Sequence, residues 1–193
     1  ALLIQQLAQI FLDFEKRQRS TTRIDYQKKN LLREIITYDS RTCDESSIYE
    51  SAYEFGTDLK AVRIAIKLEE KGDPHADPSD GTHQKQILEC LTRNFTHPQD
   101  FICPQNHIDC VVFAFKDSNM SEQQYLETLQ QKCLCVSKEC ADAGIHVYIG
   151  IGSFSQSLQA LRLSYEDACF AIKGLRAGIR STPCLYSGDV IFE

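Results

Sequence analysis

The chain lacks the features that mark membrane proteins and nucleic-acid-binding proteins. No apolar run approaches the roughly 20 residues that span a bilayer, and the first residues show no signal-peptide pattern. Lysine and arginine number 21 against 27 acidic residues, which gives a formal charge of -6. Without a basic stretch, the chain has no electrostatic footprint for nucleic acid. We therefore expect a cytoplasmic protein that neither enters a membrane nor binds DNA by itself.

The nine cysteines lack the spacing of a metal site, since no CxxC pair occurs. Cys133 and Cys135 are two apart on a predicted helix, where their side chains diverge. Most of the others fall on apolar faces, where a free cysteine behaves as a small hydrophobic residue. Cys103 and Cys184 are the best candidates for exposed thiols. We expect no bound metal and no cofactor.

Residues 1–40 are predicted to form a helical segment ahead of the main domain. Apolar residues recur there with alternating steps of four and three, the spacing of a coiled-coil seam. One hypothesis is a dimer-forming signalling helix, and the alternative is a pair of amphipathic helices that pack on their own domain. In the first case the dimer interface consists of Leu3, Leu7, Ile10, Phe14, Ile24, Leu31 and Ile35.

Residues 41–193 alternate between strand and helix patterns, which predicts an α+β domain. From Lys60 onward the order is strand, helix, hairpin, helix, strand, helix, strand. The hairpin joins residues 100–103 to the nearly continuous apolar run 108–115, and a last hairpin-like pair is predicted within 183–192. This order is typical of a ferredoxin-like fold, a mostly antiparallel sheet with flanking helices. Both ends of the chain look cut from something longer.

The stretch from Ile145 to Ala177 reads as a strand, a tight glycine turn, a serine-rich loop and an amphipathic helix. Gly150, Gly152 and Ser153 form a candidate anion-binding turn, because backbone amides at a helix start can hold an anion. The third glycine of the dinucleotide-binding pattern is absent, so a simple turn with an N-cap is the plainer interpretation.

The order of elements resembles the GGDEF-like middle domain of bacterial sugar-diacid regulators, the CdaR/PucR type of transcription factor. The most specific similarity is the segment His146–Gly152 followed by the helix signature SYEDA at Ser164–Ala168. Lys28–Asp39 is similar to the helix that precedes this domain in the family, and Tyr53–Leu59 to the entry into the first strand. The resemblance extends from about Lys28 to the end of the chain and implies a degenerate GGDEF/nucleotide-cyclase-like fold.

In such regulators the domain lies between an N-terminal ligand-sensing domain and a C-terminal helix-turn-helix. The resemblance therefore implies that Leu2 to Tyr38 is the signalling helix that leaves the sensor. It also implies a homodimer whose effector, a sugar acid, and whose DNA are bound by domains outside this chain. We expect a non-catalytic regulatory and dimerisation domain of a transcription regulator.

Diguanylate cyclases, the catalytic relatives of this fold, place glycines and carboxylates in the turn of the central hairpin. Here the turn Cys103–His107 has neither a glycine nor an acidic residue. Glu69 and Glu70 follow the first strand, where a cyclase keeps a metal-binding carboxylate, but two-metal phosphoryl transfer needs ligands from both places. Cyclase activity is the least expected function. A small-molecule sensor, with a pocket between the sheet and the loop Glu70–Gly81, is the alternative.

Overall fold

The computed structural model describes residues 23–72, 81–106 and 109–190. The helices are α1 (helical over residues 23–36), α2 (Glu45–Glu54), α3 (Thr82–Asn94), α4 (Glu122–Asp142) and α5 (Leu158–Arg176). The strands are β1 (Arg63–Glu70), β2 (Phe101–Pro104), β3 (Asp109–Phe115), β4 (Val147–Ser155) and β5 (Cys184–Tyr186). The predicted order of strands and helices from residue 60 onward is confirmed.

The five strands form one sheet in the order β2-β3-β1-β4-β5. All neighbours are antiparallel except β4 and β5, which run parallel. The predicted α+β class, an antiparallel sheet with flanking helices, is therefore confirmed. The first arm of the predicted terminal hairpin-like pair contains β5, a short 3-10 helix at Ser187–Asp189 follows it, and residues 191–192 of the second arm lie outside the described residues.

The sheet is covered by helices on both faces, which explains why its central strands are almost entirely apolar. Ile64, Ile66 and Leu68 of β1 lie in one core with side chains of α3 and α4. Ala65 lies on the opposite face, in a second core with α1, α2 and the first turn of α5. Among the described helices, none is long and apolar enough to cross a bilayer.

Helix α1 packs on the sheet of its own domain. Leu31 and Ile35 are 2% and 0% exposed and share a core with Phe101 and Phe113. Leu31 and Ile35 were therefore wrongly predicted as dimer contacts, because a seam pattern shows only that one face is apolar and not what covers it. Ile24 is 44% exposed. The remaining predicted contacts lie outside the described residues: Leu3, Leu7, Ile10 and Phe14.

All nine cysteines are free thiols. Cys103 is fully buried on the inner side of β2, so its prediction as an exposed thiol is wrong. Burial raises the pKa of this thiol to about 12, which makes the thiolate scarce at neutral pH. Cys184 is half-buried at the edge of the sheet.

Candidate functional site

The ends of β1 and β3 carry the largest concentration of buried charge in the described chain. Glu69 of β1 lies directly opposite Asp109 of β3 in the strand register, and each residue is only 7% exposed. Two carboxylates this close repel each other and lose their hydration, so each needs a cation or a hydrogen-bond donor. We call these residues, together with Lys67 and Glu70, the carboxylate end.

Lys67 supplies a positive charge inside this site. Its Nζ lies 3.2 Å from Oδ2 of Asp109, and both side chains are nearly buried. Burial by itself lowers the pKa of Lys67, but the surrounding Tyr165, Cys169 and Asp109 outweigh it, so the pKa is raised. The ammonium group is therefore charged at neutral pH.

Asp109 is further fixed by the turn that precedes it. Asn106 donates from Nδ2 to Asp109 Oδ2 over 2.9 Å, and its own Oδ1 accepts from the Asp109 amide over 2.8 Å. Oδ1 of Asp109 is buried and has no hydrogen-bond partner among the described residues. Because a buried unpaired carboxylate oxygen is costly, the positive charge of Lys67 is the main compensation at this position.

The two glutamates of β1 are also paired with basic side chains of the chain. Glu69 accepts from the guanidinium of Arg176 at the end of α5. Glu70 points to the opposite face of the sheet, where its Oε1 lies 2.8 Å from Nδ1 of His83 on α3. Each carboxylate of the carboxylate end thus faces a basic side chain from the same chain.

Tyr165 connects this site to the hairpin turn. Its hydroxyl donates to Gln105 Oε1 over 3.0 Å and accepts from Gln105 Nε2 over 2.8 Å. The Lys67 ammonium lies 5.9 Å from the centre of the Tyr165 ring, within the range of a cation–π contact. Burial and the neighbouring Cys169 raise the pKa of Tyr165, so the hydroxyl stays protonated and can donate.

In this arrangement each carboxylate is paired with a basic side chain of the same chain, which holds the charges in place. In residues 23–72, 81–106 and 109–190, no three His, Cys, Asp or Glu side chains are grouped closely enough to hold a metal ion. The sequence prediction placed Glu69 and Glu70 after the first strand, whereas both belong to β1. It missed Asp109, whose signal was a single acidic residue within the apolar run 108–115.

The predicted glycine turn at Gly150 to Gly152 does not exist, because β4 continues through these residues to Ser155. The two glycines are needed because α5 lies directly against the strand. A Cβ atom at Gly150 would overlap the carbonyl oxygen of Ala168, and one at Gly152 that of Ser164. Gly150, Gly152 and Ser153 therefore form no turn at a helix start: Gly150 pairs with Lys67 of β1, and Gly152 and Ser153 lie within β4 where its register with β1 shifts.

The helix signature Ser164–Ala168 has a structural explanation in these contacts. Ser164 is fully buried, and its hydroxyl accepts from the Ala65 amide over 2.9 Å and donates to the Ser153 carbonyl over 2.5 Å. Ala168 is small enough to let the helix approach Gly150. This signature thus binds α5 to the two central strands.

Comparison with known proteins gives the following. No curated protein matches the chain. A solved structure described as the crystal structure of a DGC protein from Thermotoga maritima is similar, with 12% sequence identity and a TM-score of 0.40. The match covers 64% of this chain and 86% of that chain.

The sequence profile of the GGDEF-like domain matches residues 39–173, which include every strand of the described sheet except β5. This match covers well over half of the chain. The chain therefore belongs to the GGDEF-like domain family.

Proposed function

We propose that this chain is a non-catalytic regulatory domain of a CdaR/PucR-type transcription regulator. In this proposal it is a cytoplasmic homodimer that passes a ligand signal to a helix-turn-helix outside the chain. The proposal rests mainly on the carboxylate end, where Lys67 and Arg176 occupy the charge-neutralising role that metal ions would need to fill in a nucleotide cyclase. Further support comes from the sequence similarities of the segments 28–39, 146–152 and 164–168 to this class of regulator.

Charge balance argues against metal-assisted phosphoryl transfer at this site. A Mg²⁺ ion binds carboxylate oxygens and the phosphates of its substrate at the same time. Here the ion would have to displace Lys67 from Asp109, at a distance of 3.2 Å, and Arg176 from Glu69. A displaced Lys67 would remain next to the metal, because its backbone is fixed in the centre of the sheet.

A turnover assay tests the absence of catalysis. Incubation of the chain with GTP and Mg²⁺ or Mn²⁺ is expected to give no diguanylate and no released pyrophosphate. As a control, Asp109→Asn should have the same background as the native chain. Turnover that depends on the metal and disappears in Asp109→Asn would refute the non-catalytic assignment.

The dimer contact is proposed to involve the segment before Lys28, which includes the exposed Ile24. Light scattering should give twice the mass of one chain, and removal of the residues before Lys28 should give a monomer. Ile24→Lys tests the described part of this contact without a truncation, because 44% of this side chain is already exposed. A dimer of unchanged affinity after truncation would exclude this segment as the interface.

A small-molecule sensor is the second candidate function. Residues 73–80 of the loop predicted to form its pocket lie outside the described residues. A different groove, between α1 and the end of β2, favours this candidate.

A further inference from the structure

A groove of about 370 Å³ lies between α1 and the end of β2, a size within the range of small-molecule sites. We call it the α1–β2 groove. Tyr26, Lys29, Asn30 and Arg33 of α1 form one wall, and Pro104 and Gln105 form the other. The groove therefore lies between the helix that enters the domain and the turn that leads to the carboxylate end.

The groove is positively charged although the whole chain carries a net charge of -6. Lys29 and Arg33 are one helical turn apart, so their side chains lie on the same side of α1. No carboxylate is among the described residues that line the groove. Asn30 accepts from Arg33 Nη2 over 3.1 Å, which orients the guanidinium and leaves its other donors available for an anion.

The remaining residues that line the groove are apolar, aromatic or polar, and they favour a ligand that has an apolar body as well as a charge. Leu32, which is 2% exposed, lies at the bottom of the groove, and Ile36 and Pro104 add apolar surface. The Tyr26 ring and the Gln105 side chain add an aromatic face and a polar group. An inorganic ion would leave this apolar surface uncovered, whereas an organic anion with a flat or apolar body would cover it.

We infer that the α1–β2 groove binds a small organic anion, a carboxylate or a phosphate ester with an apolar or aromatic body. Lys29 and Arg33 pair with the anionic group, and Leu32, Ile36 and Pro104 contact the body. Arginine suits this role because its planar guanidinium binds carboxylate and phosphate oxygens in pairs.

The groove is directly connected to the carboxylate end. Gln105 lines the groove and exchanges two hydrogen bonds with Tyr165, whose ring lies under Lys67. A ligand that moves Gln105 therefore also moves the residues that hold Asp109. This inference goes beyond the proposed function, because it assigns a ligand site to the domain itself and holds whether or not the domain forms a dimer.

The test uses 8-anilinonaphthalene-1-sulfonate, an aromatic anion whose fluorescence rises on binding. The charge reversal Lys29→Glu/Arg33→Glu changes two exposed side chains and should leave the fold intact, which circular dichroism checks. The matched control Lys138→Glu/Lys173→Glu makes the same change in net charge at exposed positions elsewhere. We expect the first variant to bind the probe about tenfold more weakly, or weaker still, and the control to bind it with unchanged affinity.

A neutral analogue, N-phenyl-1-naphthylamine, separates charge recognition from apolar contact, because the charge reversal should not weaken its binding. Competition by 1-naphthoate and by 1-naphthyl phosphate then distinguishes a carboxylate from a phosphate ligand. Equal affinity of the sulfonate probe for the charge reversal and the control would overturn the inference. The GTP assay and the mass measurement are unaffected by this outcome, so a failure here is distinguishable from a failure of the proposed function.

Discussion

Strand β1 is held by its two neighbours in different ways. On the β4 side, Gly150 and Gly152 bring α5 into contact with the strand, and Ser164 bonds to the backbone of β1 and β4. On the β3 side, the end of the strand is fixed by an ion pair between Lys67 of β1 and Asp109 of β3. The first contact has no room for a side chain at Gly150 or Gly152. The second contact depends on the positive charge of Lys67.

The largest effect is expected at the first contact. Gly152→Ala places a methyl group on the Ser164 carbonyl, so strand and helix must separate, and we expect a loss of about 3 kcal/mol or more in the free energy of unfolding. Denaturation in urea measures this change in the free energy of unfolding. Gly72→Ala is the control, because no atom of the described residues lies within 4 Å of its Cβ position. Equal stability of both variants would mean that α5 is not packed tightly on β4.

The second contact should respond to loss of charge. Lys67→Met keeps most of the side-chain volume but leaves Asp109 without its cation, and we expect a loss of about 3 kcal/mol. Adding Asp109→Asn should recover part of this loss, since the uncompensated charge is then gone. Arg93→Met, at a largely exposed pair with Glu139, should cost under about 1 kcal/mol. If Lys67→Met costs no more than Arg93→Met, the carboxylate end is better hydrated than its burial indicates.

A smaller effect should appear at alkaline pH. Burial raises the pKa of Cys110, next to Asp109 on β3, to about 12. The unfolded state loses this proton at about pH 8.5, so the native state binds more protons above that pH and becomes less stable as pH rises. At pH 9.5 we expect this group to cost about 1 kcal/mol relative to pH 7. Urea denaturation at both pH values should show a smaller decline in Cys110→Ala than in the native chain.

The order of elements was predictable from the sequence because strand and helix periods alternate clearly from residue 60 onward. The start of α4 likewise follows from local sequence, because the Ser121 hydroxyl caps the helix by accepting from the Gln124 amide. The role of Gly150 and Gly152 was not predictable from the sequence, because a GxG pattern is compatible both with a turn and with a strand that lies against a helix. Only the position of α5, a long-range contact, distinguishes the two.

The candidate site was less predictable than the fold, for the same reason. Lys67 and Asp109 lie more than 40 residues apart in sequence, and only the β1–β3 register brings them together. The burial of Leu31 and Ile35 likewise depends on Phe101 and Phe113, which are distant in sequence. A periodic pattern identifies the apolar face of a helix but not the surface that covers it.

Both outer strands of the sheet are short, and this limits how copies of the domain can associate. Strand β2 has four residues and ends in Pro104, which has no amide hydrogen to donate, and β5 has three residues. Short edges and edge prolines prevent sheets from joining edge to edge, the usual start of β-aggregation. Self-association of the described domain by extension of the sheet is therefore disfavoured, and contacts between copies are left to its helices.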